Sequence, residues 1–279
     1  MCKSGKCIVS AITTLLTLLL LFIQLYFLTA AFALKPDCSL ESGSQPESQR
    51  QRVVYLTFDD GPSRNITPAI LDILQQEGVA ATFYVLLMKN VDDLYLRIIN
   101  EGHQLGNHTS THDYDLLYQS DLKDFIKEVR KNHEFIVNNF GYEIKTFRFP
   151  GSGSLASPNG WIRSRREFLH NEMGYRDHGW HISGDAGVNH IFNALKRLEP
   201  IKDHIIILFH DSSGSRSTPD IIIDVIIGLK ERGYAFDVMH NYPLSSAEEA
   251  RIIAKKYEAK NKAKQQLYLE VLITESLGN

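Results

Sequence analysis

Short apolar runs alternate with longer amphipathic stretches along most of the chain. The runs 53–58, 81–86, 103–107, 144–149, 175–182, 204–210 and 234–239 read as strands, and 53–58, 81–86 and 204–210 among them are near-continuously apolar, the pattern of strands covered on both faces. Between them, 67–76, 121–138, 191–198 and 219–232 carry apolar residues at helical spacing. Strands of this kind separated by helices predict βαβ units and a mostly parallel sheet. Seven such strands in succession predict an α/β fold of the distorted (β/α)7-type barrel class. No internal sequence repeat accompanies the pattern.

The two ends break the alternation. Lys3 and Lys6 precede an apolar stretch from Cys7 to Leu34 that holds no charged residue, and Lys35 closes it. About 20 apolar residues span a bilayer core, so residues 1–35 are expected to be an N-terminal membrane helix, N-in and C-out. A signal peptide cleaved near Ala31-Phe32-Ala33 is the alternative. Residues 36–52, rich in Ser, Gln, Glu and Pro, read as a flexible stalk. The rest is then a single catalytic domain, 53–245, and a C-terminal helical extension, 246–279. The extension groups Lys255, Lys256, Lys260, Lys262 and Lys264 on what reads as a solvated helix face. Expected localisation is the cell membrane with the catalytic domain outside, or secretion after cleavage.

Composition adds exclusions. A formal net charge of -3 and 43% hydrophobic residues describe a globular chain and not a nucleic-acid binder. Cys2, Cys7 and Cys38 all precede the body, which therefore carries no disulfide framework or cysteine metal site. Nothing in the sequence calls for an obligate protein partner.

The candidate chemistry sits at strand ends. Thr57-Phe58-Asp59-Asp60-Gly61-Pro62-Ser63 places two adjacent carboxylates at the end of the first strand. They repel one another, and a buried unpaired charge is costly. A metal ion taking one as ligand and leaving the other as a base resolves the conflict; a solvated Asp-Gly turn is the plain alternative. After the third strand comes His108-Thr109-Ser110-Thr111-His112, two imidazoles four residues apart, expected to face one way on a helical turn. With Asp60 they supply two nitrogens and one oxygen, leaving positions open for water and substrate as catalytic sites require. Arg148-Phe149-Pro150-Gly151, Trp180 with Asp185, and His210-Asp211 follow the later strands. In a parallel barrel the C-terminal ends of strands build the active site, and one strand assignment brings all these groups to that face.

These segments, 57–63, 108–112, 148–151, 180–185 and 208–210, resemble the five ordered motifs of polysaccharide deacetylases, carbohydrate esterase family 4 or the NodB homology domain. The likeness runs from about Val53 to Met239 and is similar to the branch found in many Gram-positive bacteria. It implies that Asp60, His108 and His112 hold a divalent metal, zinc first, with cobalt or another divalent ion as alternatives. It implies that Asp59 is the general base, that Arg148 pairs with it, and that His210, tethered by Asp185, protonates the leaving amine. Pro150, Gly151 and Trp180 are the implied substrate-binding residues, with the Gly151 N–H meeting the oxyanion and Trp180 lining the acetyl pocket. Two positions depart from the family pattern: many members carry Tyr where Gly151 stands and Trp where Ala186 stands.

The implied activity is metal-dependent N-deacetylation of an N-acetylglucosamine polysaccharide, peptidoglycan first and chitin-type oligomers next, with release of acetate. A catalytically inactive glycan-binding relative would have lost the base or a metal ligand, and Asp59, Asp60, His108, His112 and His210 are all present. A related barrel amidohydrolase acting on a small cyclic amide is the other alternative, and it fits an exported chain poorly.

Overall fold

The structure, a computed structural model, describes residues 51–151, 160–246 and single positions beyond. The expected membrane segment, nearly all of the stalk and most of the C-terminal extension lie outside the described residues. Among the described residues no helix is long and apolar enough to cross a membrane.

Among the described residues eight strands form one parallel sheet: β1 (Val53–Asp59), β2 (Thr82–Val85), β3 (Gln104–Asn107), β4 (Thr146–Phe147), β5 (Arg176–Asp177), β6 (Ile182–Ser183), β7 (His204–His210) and β8 (Ala235–Phe236). The order is β5-β4-β3-β2-β1-β7-β6, with β8 beside the start of β1. Strands β1 and β7 pair along their full length, from Val53 against His204 to Asp59 against His210. Helices α1 (Thr67–Glu77), α2 (Asp92–Asn100), α3 (Leu122–Phe140), α4 (Gly160–Asn171), α5 (Val188–Leu198) and α6 (Thr218–Glu231) fill the crossovers.

Strands that read as uniformly apolar face two environments. Val54, Leu56, Phe58, Ile205, Ile207 and Phe209 join the main core with the helices, including Ile70, Leu74, Val129 and Ile226. The alternate residues turn inward, where Tyr55, Tyr84, Ile206 and Met239 make a second, smaller cluster. The inner face is also polar: Thr57, Asp59, Thr82, Thr146 and Arg148 are all buried. This interior, which the helices do not reach, is where the sheet can hold charge.

The expected single strand over 175–182 is corrected to two. Its start, β5, pairs with β4 at one edge of the sheet, and its end, β6, pairs with β7 at the other. The curled sheet is therefore a half-barrel whose edges are joined by the intervening chain, with no ladder between β5 and β6. His178 N–H still reaches Phe147 O on one side, and His181 N–H reaches Ile206 O on the other. The seam leaves carbonyls unpaired by any strand, and Arg148 satisfies two of them. Its Nε donates to His178 O at 3.2 Å and its Nη2 to Gly179 O at 3.0 Å.

Candidate active site

Strand period alone would turn Asp59 and Asp60 to opposite faces. Asp59 follows Tyr55 and Thr57 inward and is 3% exposed, with Arg148 Nη1 donating to its Oδ1 at 2.9 Å. The same nitrogen donates to Thr57 Oγ1 at 2.7 Å, and the Tyr84 ring lies 4.2 Å from the guanidinium carbon. Asp60 escapes the opposite face because its backbone is left-handed, φ 72°, which swings the carboxylate over the end of the strand. Room for that turn comes from Gly61, where a Cβ would lie 2.0 Å from the Asp211 carboxylate. Asp211 is itself fastened below: Thr67 Oγ1 donates to its Oδ2 at 2.6 Å, and Ser63 Oγ to its carbonyl at 2.6 Å. Burial lifts the Asp211 carboxyl from 3.8 to about 7.

The histidine pair is not on a helical turn as expected. Residues 108–112 form a loop in which Thr109 and His112 are left-handed, φ 74° and 60°. A β-branched residue there is strained and must be held by its surroundings. The surroundings do so. Thr109 N–H reaches Asn107 Oδ1 at 2.8 Å, and its carbonyl accepts from Asn132 Nδ2 at 2.8 Å. Glu128 Oε2 accepts from Ser110 Oγ at 2.6 Å, Thr111 N at 2.9 Å and Thr111 Oγ1 at 2.6 Å. Both anchors belong to α3, on the stripe otherwise made of Phe125, Val129 and Ile136.

The three expected ligands meet. His108 Nε2 and His112 Nε2 each lie 3.3 Å from Asp60 Oδ1. These are close to the ~3.4 Å that donor atoms keep around a tetrahedral ion at bond lengths of ~2.1 Å. The Asp60 Oδ1 atom is buried and makes no hydrogen bond, an orphan that a cation would satisfy. His108 Nδ1 contacts Arg148 O at 2.9 Å; a carbonyl only accepts, so Nδ1 carries the proton and Nε2 presents its lone pair to the site. Burial lowers the His112 pKa, which also favours the neutral, ligating form. Burial pushes the Asp60 carboxyl up, but His108, His112 and His210 outweigh it and the net shift is down. The residues present fit a divalent metal.

His210 stands beside the triad, with Nε2 4.0 Å from Asp60 Oδ2. Its Nδ1 meets Asp185 Oδ2 at 2.5 Å, and that bond is the leading reason its pKa rises to about 9. Asp185 comes from the loop after β6 and His210 from the end of β7, adjacent strands in the sheet. The arrangement sets beside the triad a carboxylate bonded to a buried arginine and an imidazole whose partner carboxylate favours its protonated form.

Trp180 is half-buried. It lies in the seam, its ring 5.9 Å from the Arg148 guanidinium and packed on the inner cluster of Tyr55 and Tyr84. It supports Arg148 from inside the half-barrel. Pro150 accepts a hydrogen bond from the Tyr118 hydroxyl through its carbonyl. Gly151 is left-handed, φ 72°, and a Cβ on it would lie 2.8 Å from the Tyr114 ring. Sequence reasoning overlooked Tyr114, Glu128 and Asn132 and gave Asp211 no role. The signal for Glu128 and Asn132 was present: two polar residues on the buried stripe of an amphipathic helix.

Comparison with known proteins finds relatives over about two thirds of the chain. Residues 47–163 match the family described as polysaccharide deacetylase. A peptidoglycan-N-acetylglucosamine deacetylase of Bacillus cereus is 30% identical over 197 residues, covering 67% of this chain and 85% of that protein. Among solved structures, a Streptococcus mutans CE4 esterase superposes with a TM-score of 0.60 at 30% identity, covering 69% of this chain and 89% of that one. A polysaccharide deacetylase from Bacillus cereus does so at 0.58 and 28% identity, covering 70% and 97%.

Proposed function

The chain belongs to the polysaccharide deacetylase family, hydrolases of non-peptide carbon–nitrogen bonds, and from that premise we propose that it N-deacetylates an N-acetylglucosamine polysaccharide of the cell envelope. Peptidoglycan is the first substrate and chitin-type oligomers the second. The observation that carries the reading is the convergence of Asp60, His108 and His112 between the Asp59–Arg148 pair and the His210–Asp185 pair.

Asp60, His108 and His112 would hold the metal, zinc first. A cation there would supply polarisation of the acetamide carbonyl and a lowered pKa for a water molecule. Asp59 takes a proton from the attacking water as its oxygen bonds to the acetyl carbon. Arg148 fixes Asp59 in place, since its guanidinium is anchored at both the strand and the seam. The Gly151 N–H donates to the carbonyl oxygen as it gains charge. His210 gives its proton to the amide nitrogen as the C–N bond breaks, leaving acetate and a free amine. Asp185 holds that imidazole protonated and aimed.

The charge-free apolar stretch between Cys7 and Leu34 supports an envelope location, with 1–35 as an anchor or a cleaved signal, 36–52 as the stalk and 53–245 as the catalytic domain. The test is acetate release by the zinc-loaded protein from peptidoglycan, chitin tetramer and acetylated xylan, before and after chelation. Zinc-dependent release from the first two is expected. No acetate from any glycan, with cleavage of a cyclic imide instead, would replace the reading.

A further inference from the structure

Tyr114 has no part in the mechanism above, yet it stands beside the metal ligands and is 48% exposed. It follows His112 by two residues, and its ring meets the His112 imidazole edge-on, 5.1 Å between centroids at 87°. A second side packs toward Tyr118 at 5.8 Å, and Tyr118 is bonded to the Pro150 carbonyl. A third edge lies against Gly151, where an added Cβ would sit 2.8 Å from Cε1 and from the hydroxyl oxygen. The turn that follows, Asp115–Gln119, is fastened from α4: Arg165, 3% exposed, donates Nε–H to Leu117 O at 2.9 Å and Nη2–H to Ser120 O at 3.1 Å. The ring is thus held between a metal ligand and the Arg148–Gly151 segment, with its remaining face open.

We propose that Tyr114 is the specificity-determining platform on which the sugar ring carrying the reacting acetamide stacks. It occupies the space that a side chain at position 151 would otherwise fill, and the glycine there is what lets the ring lie against the backbone. A pyranose offers a flat C–H face, and an aromatic ring already fixed in place loses little freedom when that face covers it. The wall comes from the histidine loop and not from the Arg148–Gly151 segment. The consequence is preference for acetyl groups borne on a glycan over acetyl groups on small acyclic carriers. This inference rests on the deacetylase reading.

The experiment compares the full-length zinc-loaded protein with its Tyr114→Ala and Tyr114→Trp variants. Three readouts are taken: acetate release from the N-acetylglucosamine tetramer, acetate release from the acyclic ester ethyl acetate, and zinc content by elemental analysis. Tyr114→Ala is expected to raise KM for the tetramer by about tenfold, the scale of one aromatic contact, with kcat within about twofold. Its kcat/KM on the small ester and its zinc content are expected to stay at the wild-type level, and Tyr114→Trp to keep the wild-type KM. An unchanged tetramer KM in Tyr114→Ala, an equal fall on both substrates, or loss of zinc would overturn the proposal while leaving the deacetylase reading intact. A wild-type protein that hydrolyses the ester but releases no acetate from any glycan overturns both.

Discussion

Removing the charge of Glu128 tests whether α3 sets the metal site. Glu128 is 5% exposed, and one of its oxygens accepts three hydrogen bonds from Ser110 and Thr111, the residues between the two histidines. Thr111 is exposed, so both of its donors turn to water at little cost in a Glu128→Met variant, whose side chain has no acceptor oxygen. Ser110 is buried and loses its acceptor, which costs about 1–3 kcal/mol. That energy holds the left-handed loop in the metal-free protein. Without it the loop relaxes, and metal binding has to re-form it. The expected loss of zinc affinity is therefore about 10–100-fold, or ~1.4–2.7 kcal/mol, in line with the effect of removing partners behind metal ligands. Calorimetric zinc titration of the wild-type and Glu128→Met proteins measures it, with thermal melts of the metal-free forms beside it. A variant that melts lower yet binds zinc with wild-type affinity would refute the reasoning, because Glu128 would then support the fold and not the site.

Other variants separate the remaining roles. Asp59→Asn is expected to keep its zinc and lose about 10²–10⁴-fold in kcat, whereas Asp60→Asn loses zinc; metal analysis beside turnover decides, and the reverse pattern would exchange the two assignments. His210 must be protonated to act as the acid, so activity is held below its pKa and lost as pH rises through it. Because the Asp185 bond is what lifts that pKa to about 9, Asp185→Asn is expected to move the basic limb of the kcat profile to lower pH. An unmoved limb would remove His210 as its source. Asp211 binds a proton in the folded chain, at a pKa raised from 3.8 to about 7 by burial, that the unfolded chain gives up earlier. Stability of the metal-free protein therefore falls as pH rises between those values, and Asp211→Asn flattens the slope in urea unfolding. An equally steep slope in the variant would assign it to other groups.

The sequence by itself determined the chemistry that could assemble. Apolar runs such as 204–210 mark strands whatever surrounds them, and carboxylates and imidazoles at their ends can come together only at the C-terminal rim of a parallel sheet. The set Asp59, Asp60, His108, His112, Arg148, Asp185 and His210 was legible for that reason. What the sequence left open was direction. A period of two puts Asp59 inside and Asp60 outside, and only a left-handed backbone over the glycine that accommodates Asp211 brings Asp60 to the histidines. The split of 175–182 between opposite edges of the sheet is not encoded locally either, because its pairing partners, β4 and β7, lie far apart in the chain. Trp180 reads as a pocket wall from its motif, and only the fold sets its ring 5.9 Å from the Arg148 guanidinium. Tyr114 belongs to none of the sequence motifs, and it becomes a neighbour of Gly151 only when the loops after β3 and β4 are folded against each other. Residue type and spacing specify which groups a site can contain; the side toward which each one turns is set by contacts between segments distant in sequence.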